Sequence, residues 1–406
     1  MKYPEILAPA GNLEKLQFAI VYGADAVYVA GKEFSLRSYA GNLSNDEMAE
    51  AVRLVHKNNK KIYVTLNIFP YNKDIEGIKE YLHFLKSLNV DAIIISDLGV
   101  FSIAREMCPN IPIHISVQAN NLNYKEVETW KKLGARRAIL ARELSFEDIE
   151  EIRKMVPNIE LEIFVHGAIC MAYSGRCLLS NYLSGRDSNK GECTQSCRWK
   201  YYLIEEKRPG EYIPIFEDSK GTYILNSKDL CSIENLHKFI ELGIDSFKIE
   251  GRMKSNHYIA VTTAIYKKVR DEYLKNPENY EFNKKYMLEL EKISHRPYTQ
   301  GFYFKEDKMK QNYESSDYIS TYTYTGYVLE DSVSDIIKVI VKRTFKVNDE
   351  IELFIPDGNF VTAKVISIKN EENIEEIYTK QGMKYFIKIN KNIKIPKFSI
   401  IRIKNT

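Results

Sequence analysis

The chain has 406 residues, 44% of them hydrophobic and 28% charged, with a formal net charge of +3. That length suits two or three domains, and the composition is that of a globular protein, which excludes a disordered chain. The small net charge decides little by itself, so any nucleic-acid surface has to come from local clustering.

The N-terminus, MKYPEILAPAGN, has no apolar run of signal-peptide length. Nowhere do about 18 apolar residues run together, so no membrane span is expected and the protein is expected in the cytoplasm. In a reducing compartment, a cluster of cysteines such as this chain carries reads as a metal site before a set of disulfides.

In chain order, a strand over residues 4–9 is followed by a helix that starts at Asn12 and stops at Gly23. Strands then alternate with helices: strand 25–31, helix 44–59, strand 61–69, helix 74–88, strand 91–96 and helix 97–107. The pattern continues through strand 112–117, helix 123–133, strand 136–140, helix 145–155 and strand 160–165. Several of these strands are continuous apolar runs, as expected when helices cover both faces of a sheet. A hairpin is expected over 201–216, turning at Pro209-Gly210. It precedes a short strand at 222–226, a helix at 231–243, a strand at 245–251 and a helix at 255–275. About eight βα repeats predict an α/β fold, a TIM-like (β/α)8 barrel over residues 1–280, with a cysteine-rich insertion at 166–222. A doubly wound open sheet is the other architecture that alternation allows.

Residues 281–321 read as a linker containing a helix at 283–293. From 322 to 406 the pattern is strands only, which predicts a small all-β, barrel-like C-terminal domain. Its last stretch, residues 380–406, carries eight Lys or Arg and no acid. Lys384, Lys388, Lys394 and Arg402 alternate there with apolar residues. Such a stripe is either the solvated face of strands or a surface for a phosphate backbone.

Four cysteines, Cys170, Cys177, Cys193 and Cys197, follow the strand at 160–165 with the spacing C-x6-C-x15-C-x3-C, and Cys231 lies downstream. Gly, Ser, Asn and Arg between them suit a loop. Thiols spread over a long loop fit an iron–sulfur cluster; a zinc site and no metal at all stand beside that reading. Cys108, alone near a helix end, reads as a small buried hydrophobe.

Chemistry in a TIM barrel sits at the C-terminal strand ends. Those positions hold Arg37, Asn67, Ser96, Asp97, Gln118, Asn120, Arg142, Glu143, His166, Lys228, Asp229, Glu250, Arg252 and Lys254. His166, Glu250 and Arg252 are the candidates for chemistry. Arg37, Asn67, Gln118, Arg142, Lys228 and Lys254 are candidates for holding substrate, the cations among them suiting carboxylates or phosphates. Taken singly, each could be a cap or a surface charge, Asp97 most plainly.

The segment from Glu162 to Ser180, E-x-F-x2-G-A-x-C-x4-G-R-C-x-L-S, resembles the signature of the collagenase-like peptidases, the unassigned-type peptidase family 32. EILAPAGNLEKL, YGADAVYVAG, YVTLNIF, ISVQAN, GRDSNKGECTQSCRW, NSKDLC and KIEGRMKS resemble further blocks of that family, over roughly residues 4–305. Within it, the chain is most similar to the branch of tRNA 5-hydroxyuridine hydroxylation proteins. The resemblance implies a 4Fe-4S cluster on Cys170, Cys177 and Cys193, with Cys231 or Cys197 as fourth ligand. It also implies prephenate, a small dicarboxylate metabolite, as co-substrate, tRNA as partner, and a paralogue or second copy as a possible companion. The family label implies a peptidase instead, although no catalytic set of that kind stands out. A non-enzymatic, cluster-bearing RNA-binding protein is the third reading.

Overall fold

A computed structural model of the protein describes residues 2–35, 41–169, 177–186, 188, 192–196, 202–204, 212–214, 228–304 and 318–405. The first elements are β1 (Glu5–Pro9), α1 (Leu13–Val21), β2 (Ala26–Ala30), α2 (Asn45–Lys57), β3 (Lys61–Leu66) and α3 (Ile75–Leu88). They are followed by β4 (Ala92–Ile95), α4 (Leu98–Met107), β5 (Ile113–Ile115), α5 (Tyr124–Leu133), β6 (Arg137–Ile139), α6 (Phe146–Met155) and β7 (Glu160–Ala168). Beyond β7 come α7 (Leu179–Ser184), a hairpin of β8 (Tyr202–Ile204) and β9 (Tyr212–Pro214), then β10 (Asp229–Cys231), α8 (Leu236–Glu241), β11 (Ser246–Ile249) and α9 (Asn256–Lys275). The chain continues through α10 (Lys285–Leu290), β12 (Tyr298–Thr299), β13 (Tyr322–Val328), β14 (Ile336–Val341) and β15 (Glu350–Phe354). It ends in β16 (Phe360–Asn370), β17 (Glu375–Glu376), β18 (Lys384–Ile389) and β19 (Ile400–Lys404).

Contacts divide these elements into two compact units, one of Met1–Leu16, Asp25–Met253 and Arg296–Tyr318, the other of Gln17–Ala24, Lys254–His295 and Ile319–Thr406. In the first, β1 to β7 pair in parallel, each with the next. Strand β11 closes the ring by pairing in parallel with both β7 and β1. This is the expected (β/α)8 barrel, and closure excludes the open sheet. The helices begin where the sequence places their caps. Ser44 and Glu47 form a capping box at α2, Ser145 and Asp148 another at α6, and the Asp97 side chain accepts the Val100 N–H at α4.

The barrel departs from expectation after β7. The helix expected at 231–243 begins only at Leu236, and Asp229–Cys231 forms strand β10, antiparallel to β7. On its other side β10 pairs with β12, from a stretch read as linker. Strands of two and three residues have no readable period, and their partners lie far away in sequence.

The barrel interior is also more polar than usual, since such barrels are generally filled with branched aliphatic side chains. Glu162, with no exposed surface, receives Lys248 Nζ at 2.9 Å and Arg137 Nη1 at 2.9 Å. Arg137 also binds Glu160 and Glu5, and Glu5 accepts the Tyr63 hydroxyl at 2.9 Å.

In the second unit, β13 to β16, β18 and β19 close a six-stranded antiparallel barrel, the expected all-β domain, with β17 on its edge. Val328, Ile337, Val339, Leu353, Val365, Ile387 and Ile401 fill its core. Arg402 is not part of a basic outer face. It is fully buried, and its guanidinium binds Glu289 at 2.7 Å and Glu352 at 2.8 Å. Lys384, Lys388 and Lys394 are exposed.

Candidate functional site at the barrel mouth

The C-terminal ends of β1 to β7 and β11 form one rim, and the order of the strands places the candidate side chains around it. Arg37 lies outside the described residues, as do Cys170 and Cys197. Asn67 follows β3, while Gln118 and Asn120 sit in a short 3-10 turn after β5. Arg142 follows β6 and is buried, with its guanidinium 4.5 Å from the centre of the Phe164 ring. It also donates to the Ala168 carbonyl, tying the end of β6 to the end of β7.

His166 was expected just past the seventh strand; it lies within β7, which runs on to Ala168. Between β7 and β11 the register slips by one residue, so that Phe164 faces Lys248 but His166 faces Ile249. Such a bulge re-aims the side chains beyond it. Gly167, with φ of +107°, takes up the left-handed backbone conformation next door. His166 is buried, its ring lies 5.4 Å from that of Tyr298, and its carbonyl accepts the Glu250 N–H at 2.8 Å. Across the antiparallel pairing with β10 its partner is Cys231. Directly paired residues present their side chains on the same face of a sheet, so His166 and Cys231 are neighbours.

Glu250 follows β11, and its Oε2 accepts from the Tyr28 hydroxyl at 3.3 Å, which also donates to the Ile249 carbonyl at 3.0 Å. Arg252 is buried, and its carbonyl receives Lys15 Nζ at 3.0 Å. Burial holds the Lys15 ammonium below its ordinary pKa, against the pull of Glu14. Lys228 precedes β10, beyond the end of β7. Lys254 belongs to the second unit, where its ammonium reaches the Ser294 carbonyl at 3.4 Å. The structure therefore pairs His166 with Cys231 and joins the Glu250 backbone N–H to the His166 carbonyl.

Sequence reasoning missed Tyr298, Tyr28, Arg296 and Ser116. Arg296 is buried, with its guanidinium 5.1 Å from the Tyr318 ring, and its backbone N–H reaches Asp229 Oδ2 at 3.2 Å. It lies in a stretch read as linker, where no periodicity could have flagged it. Ser116, one residue past β5, could have been found by the strand count that found Gln118.

Among the described residues, no three His, Cys, Asp or Glu side chains gather as a metal-ligand set. The donor chemistry of the described cysteines does fit a thiolate-bound group. Cys177 and Cys193 follow β7, Cys231 ends β10, and the Gln195 N–H points at Cys193 Sγ at 3.4 Å, as backbone donors do towards thiolate ligands.

A closed parallel barrel with amides, cations and a His–Cys pair on its rim, joined to an antiparallel barrel, defines a two-barrel α/β protein whose chemistry belongs at the strand ends. The chain belongs to peptidase family U32: that family's model matches residues 11–313, and the model of its C-terminal domain matches residues 320–402. It is similar to tRNA hydroxylation protein P1 of Bacillus subtilis, with 41% identity over 380 residues, 92% of this chain and 89% of that protein. With tRNA hydroxylation protein P of Escherichia coli it shares 40% identity over 397 residues, 88% of this chain and 87% of that one. The 23S rRNA 5-hydroxycytidine synthase of Escherichia coli is 35% identical over 267 residues, 66% of this chain and 39% of that protein.

Proposed function

We propose that the protein is an RNA-modifying hydroxylase that converts the wobble uridine of tRNA to 5-hydroxyuridine. The observation that carries the reading is the 41% identity over 92% of the chain to a protein named for tRNA hydroxylation. A synthase of 5-hydroxycytidine among the relatives supports hydroxylation at a pyrimidine ring as the reaction class. In the same reading prephenate is the co-substrate, its two carboxylates taken by Arg142, Lys228 and Arg252, because paired cations suit a dicarboxylate. Cys170, Cys177, Cys193 and Cys231 would hold a 4Fe-4S cluster, with Cys197 as the spare thiol, and the cluster would supply one-electron redox chemistry. In this reading His166, paired with Cys231, and Glu250, whose backbone N–H bonds the His166 carbonyl, would hold or move a proton.

Mass spectrometry of tRNA from a strain lacking the gene tests the activity. Loss of 5-hydroxyuridine and its derivatives is expected; unchanged tRNA, with no second enzyme of this kind present, would sink the reading. For the cluster, anaerobically purified protein should contain iron and sulfide and absorb in the visible. Cys177→Ala should abolish both, and a colourless, iron-free wild type would exclude the cluster.

A peptidase is the second reading, favoured by the Cys231–His166 juxtaposition. It predicts cleavage of denatured collagen that is lost in Cys231→Ala.

A further inference from the structure

The rim changes character between its two sides. Near β6, β7 and β11 it carries Arg142, Lys228 and Arg252 beside Glu143 and Glu250. At the ends of β3, β4 and β5 its side chains are mostly uncharged, and Ser116 ties the end of β3 to the turn after β5. Ser116 Oγ accepts from Asn67 Nδ2 at 3.2 Å and from the Gln118 N–H at 3.2 Å. The Ser96 hydroxyl donates to the Asn67 carbonyl at 3.0 Å. Asn121, fully buried, pins the turn after β5 by donating to the carbonyls of Ser116 at 3.2 Å and Ile139 at 2.8 Å. The Asn67 side chain and the backbone of the turn after β5 are thus fixed.

Yet the carboxamide oxygens of Asn67, Gln118 and Asn120 are buried and accept no hydrogen bond among the described residues. Leaving such groups unmatched is costly, and native interiors keep few of them. Turning the Asn67 amide end for end leaves its NH2 unmatched instead, so the deficit survives either assignment. Acceptors in excess repel an anion, so the dicarboxylate does not belong on this side.

The ligand that matches is planar, neutral and carries a ring N–H flanked by carbonyls. A carboxamide can meet such an edge with two bonds, its oxygen taking the N–H and its NH2 giving to the neighbouring oxygen. Enzymes that act on a base within folded nucleic acid swing it out and read that edge in a pocket. We infer that the carboxamides of Asn67, Gln118 and Asn120, on the strand and turn that Ser116 joins, grip the hydrogen-bonding edge of the target pyrimidine, across the rim from Arg142 and Arg252. The inference rests on the RNA-modification reading and adds to it which residues hold the base.

The test is the equilibrium affinity of the full-length protein for a labelled anticodon stem-loop with uridine at the wobble position. The control is the same RNA with an abasic residue there. One bidentate pair is worth about 1–3 kcal/mol, so the wild type is expected to prefer the base-bearing RNA by about 10-fold or more. In Asn67→Ala and Gln118→Ala that preference should collapse towards unity while affinity for the abasic RNA stays at the wild-type level, which also shows that the variants fold. Gln118→Glu, which keeps the shape and loses the NH2, should fall between. If both alanine variants keep the wild-type preference, the inference is overturned and the RNA reading stands. If the wild type binds both RNAs equally well, the grip on the base is overturned and the RNA reading stands; if it binds neither, the RNA reading falls, and the inference with it.

Discussion

Glu162 has no exposed surface, and burial alone would push its carboxyl towards the neutral acid. The Lys248 ammonium and the Arg137 guanidinium outweigh that, and its pKa falls below the usual carboxylate value. Without Lys248 the buried carboxylate keeps only Arg137, which it shares with Glu5 and Glu160, and breaking a buried pair in this way costs up to about 3–5 kcal/mol. Lys248→Met should therefore lower unfolding stability in urea by about that much. The double change Lys248→Met, Glu162→Gln should recover part of it. A single variant as stable as the wild type would show that Glu162 is not ionised. His114, packed edge-on against Tyr63 at 4.8 Å, is held well below its ordinary pKa by burial, then by Arg137 and Lys248. Its unfolded counterpart takes up a proton near pH 6.5, whereas the folded one does not. Its contribution to stability is thus complete above about pH 6.5 and declines as the pH falls, by about 1.4 kcal/mol per pH unit. His114→Gln should flatten the slope of stability against pH between about 6.5 and 5, measured by denaturant midpoints at each pH. An unaltered slope would assign the dependence elsewhere, for instance to His257, which burial and Arg402 depress in the second unit.

At the scale of elements, the informative one is β7. Its apolar alternation makes the strand legible up to Val165, and the polar Glu162 within it reads as an exception until the interior partners are seen. The bulge opposite Lys248 and Ile249 is invisible in the sequence, because it depends on how β11 pairs. That bulge, with Gly167 at positive φ, decides which way His166 points. Gly167→Ala is expected to destabilise the fold by about 1 kcal/mol or more, since a side chain is strained at that φ. It should also impair hydroxylation more than its stability cost explains, by displacing His166. Activity at the wild-type level at a temperature well below unfolding would refute the second part. The three-residue β10 makes the same point. Asp229 to Cys231 carry no strand pattern of their own; β7 and β12 impose it from either side. A helix start at Cys231 was the reasonable local reading, and tertiary pairing overrode it.

At the scale of the molecule, the C-terminal strands do not form a unit by themselves. Residues 17–24 and 254–295 group with them. The Tyr22 hydroxyl, fully desolvated, donates to the Phe354 carbonyl at 2.7 Å, and Phe18 packs against Tyr327 and Phe398 with ring centres 5.0 and 5.2 Å apart. Arg402 on β19 neutralises Glu289 on α10. A chain cut at residue 319 would expose those aromatic faces and leave Glu289 without its guanidinium. Such a truncation should be insoluble or open to proteolysis, not a folded barrel that has lost RNA affinity. A soluble, protease-resistant 1–319 fragment would contradict this. If the β domain meets a phosphate backbone, charge reversal at exposed Lys384 and Lys388 should reduce the salt dependence of tRNA binding by about one ion per lysine; an unchanged slope would assign those lysines to a solvated face.

The sequence by itself determined the repeat count, the helix starts at Ser44, Asp97 and Ser145, the two-barrel order and the strand ends at which Asn67, Gln118, Arg142, Glu250 and Arg252 sit. These follow from local rules: a period of two or 3.6 residues, a capping side chain, a turn residue. Ring closure by β11, the bulge that aims His166, the meeting of His166 with Cys231 and the charged interior around Glu162 were decided by tertiary structure alone. Each needs residues tens to hundreds of positions apart to share a surface. An isolated stretch of sequence carries no sign of which distant partner will satisfy a buried charge or carbonyl.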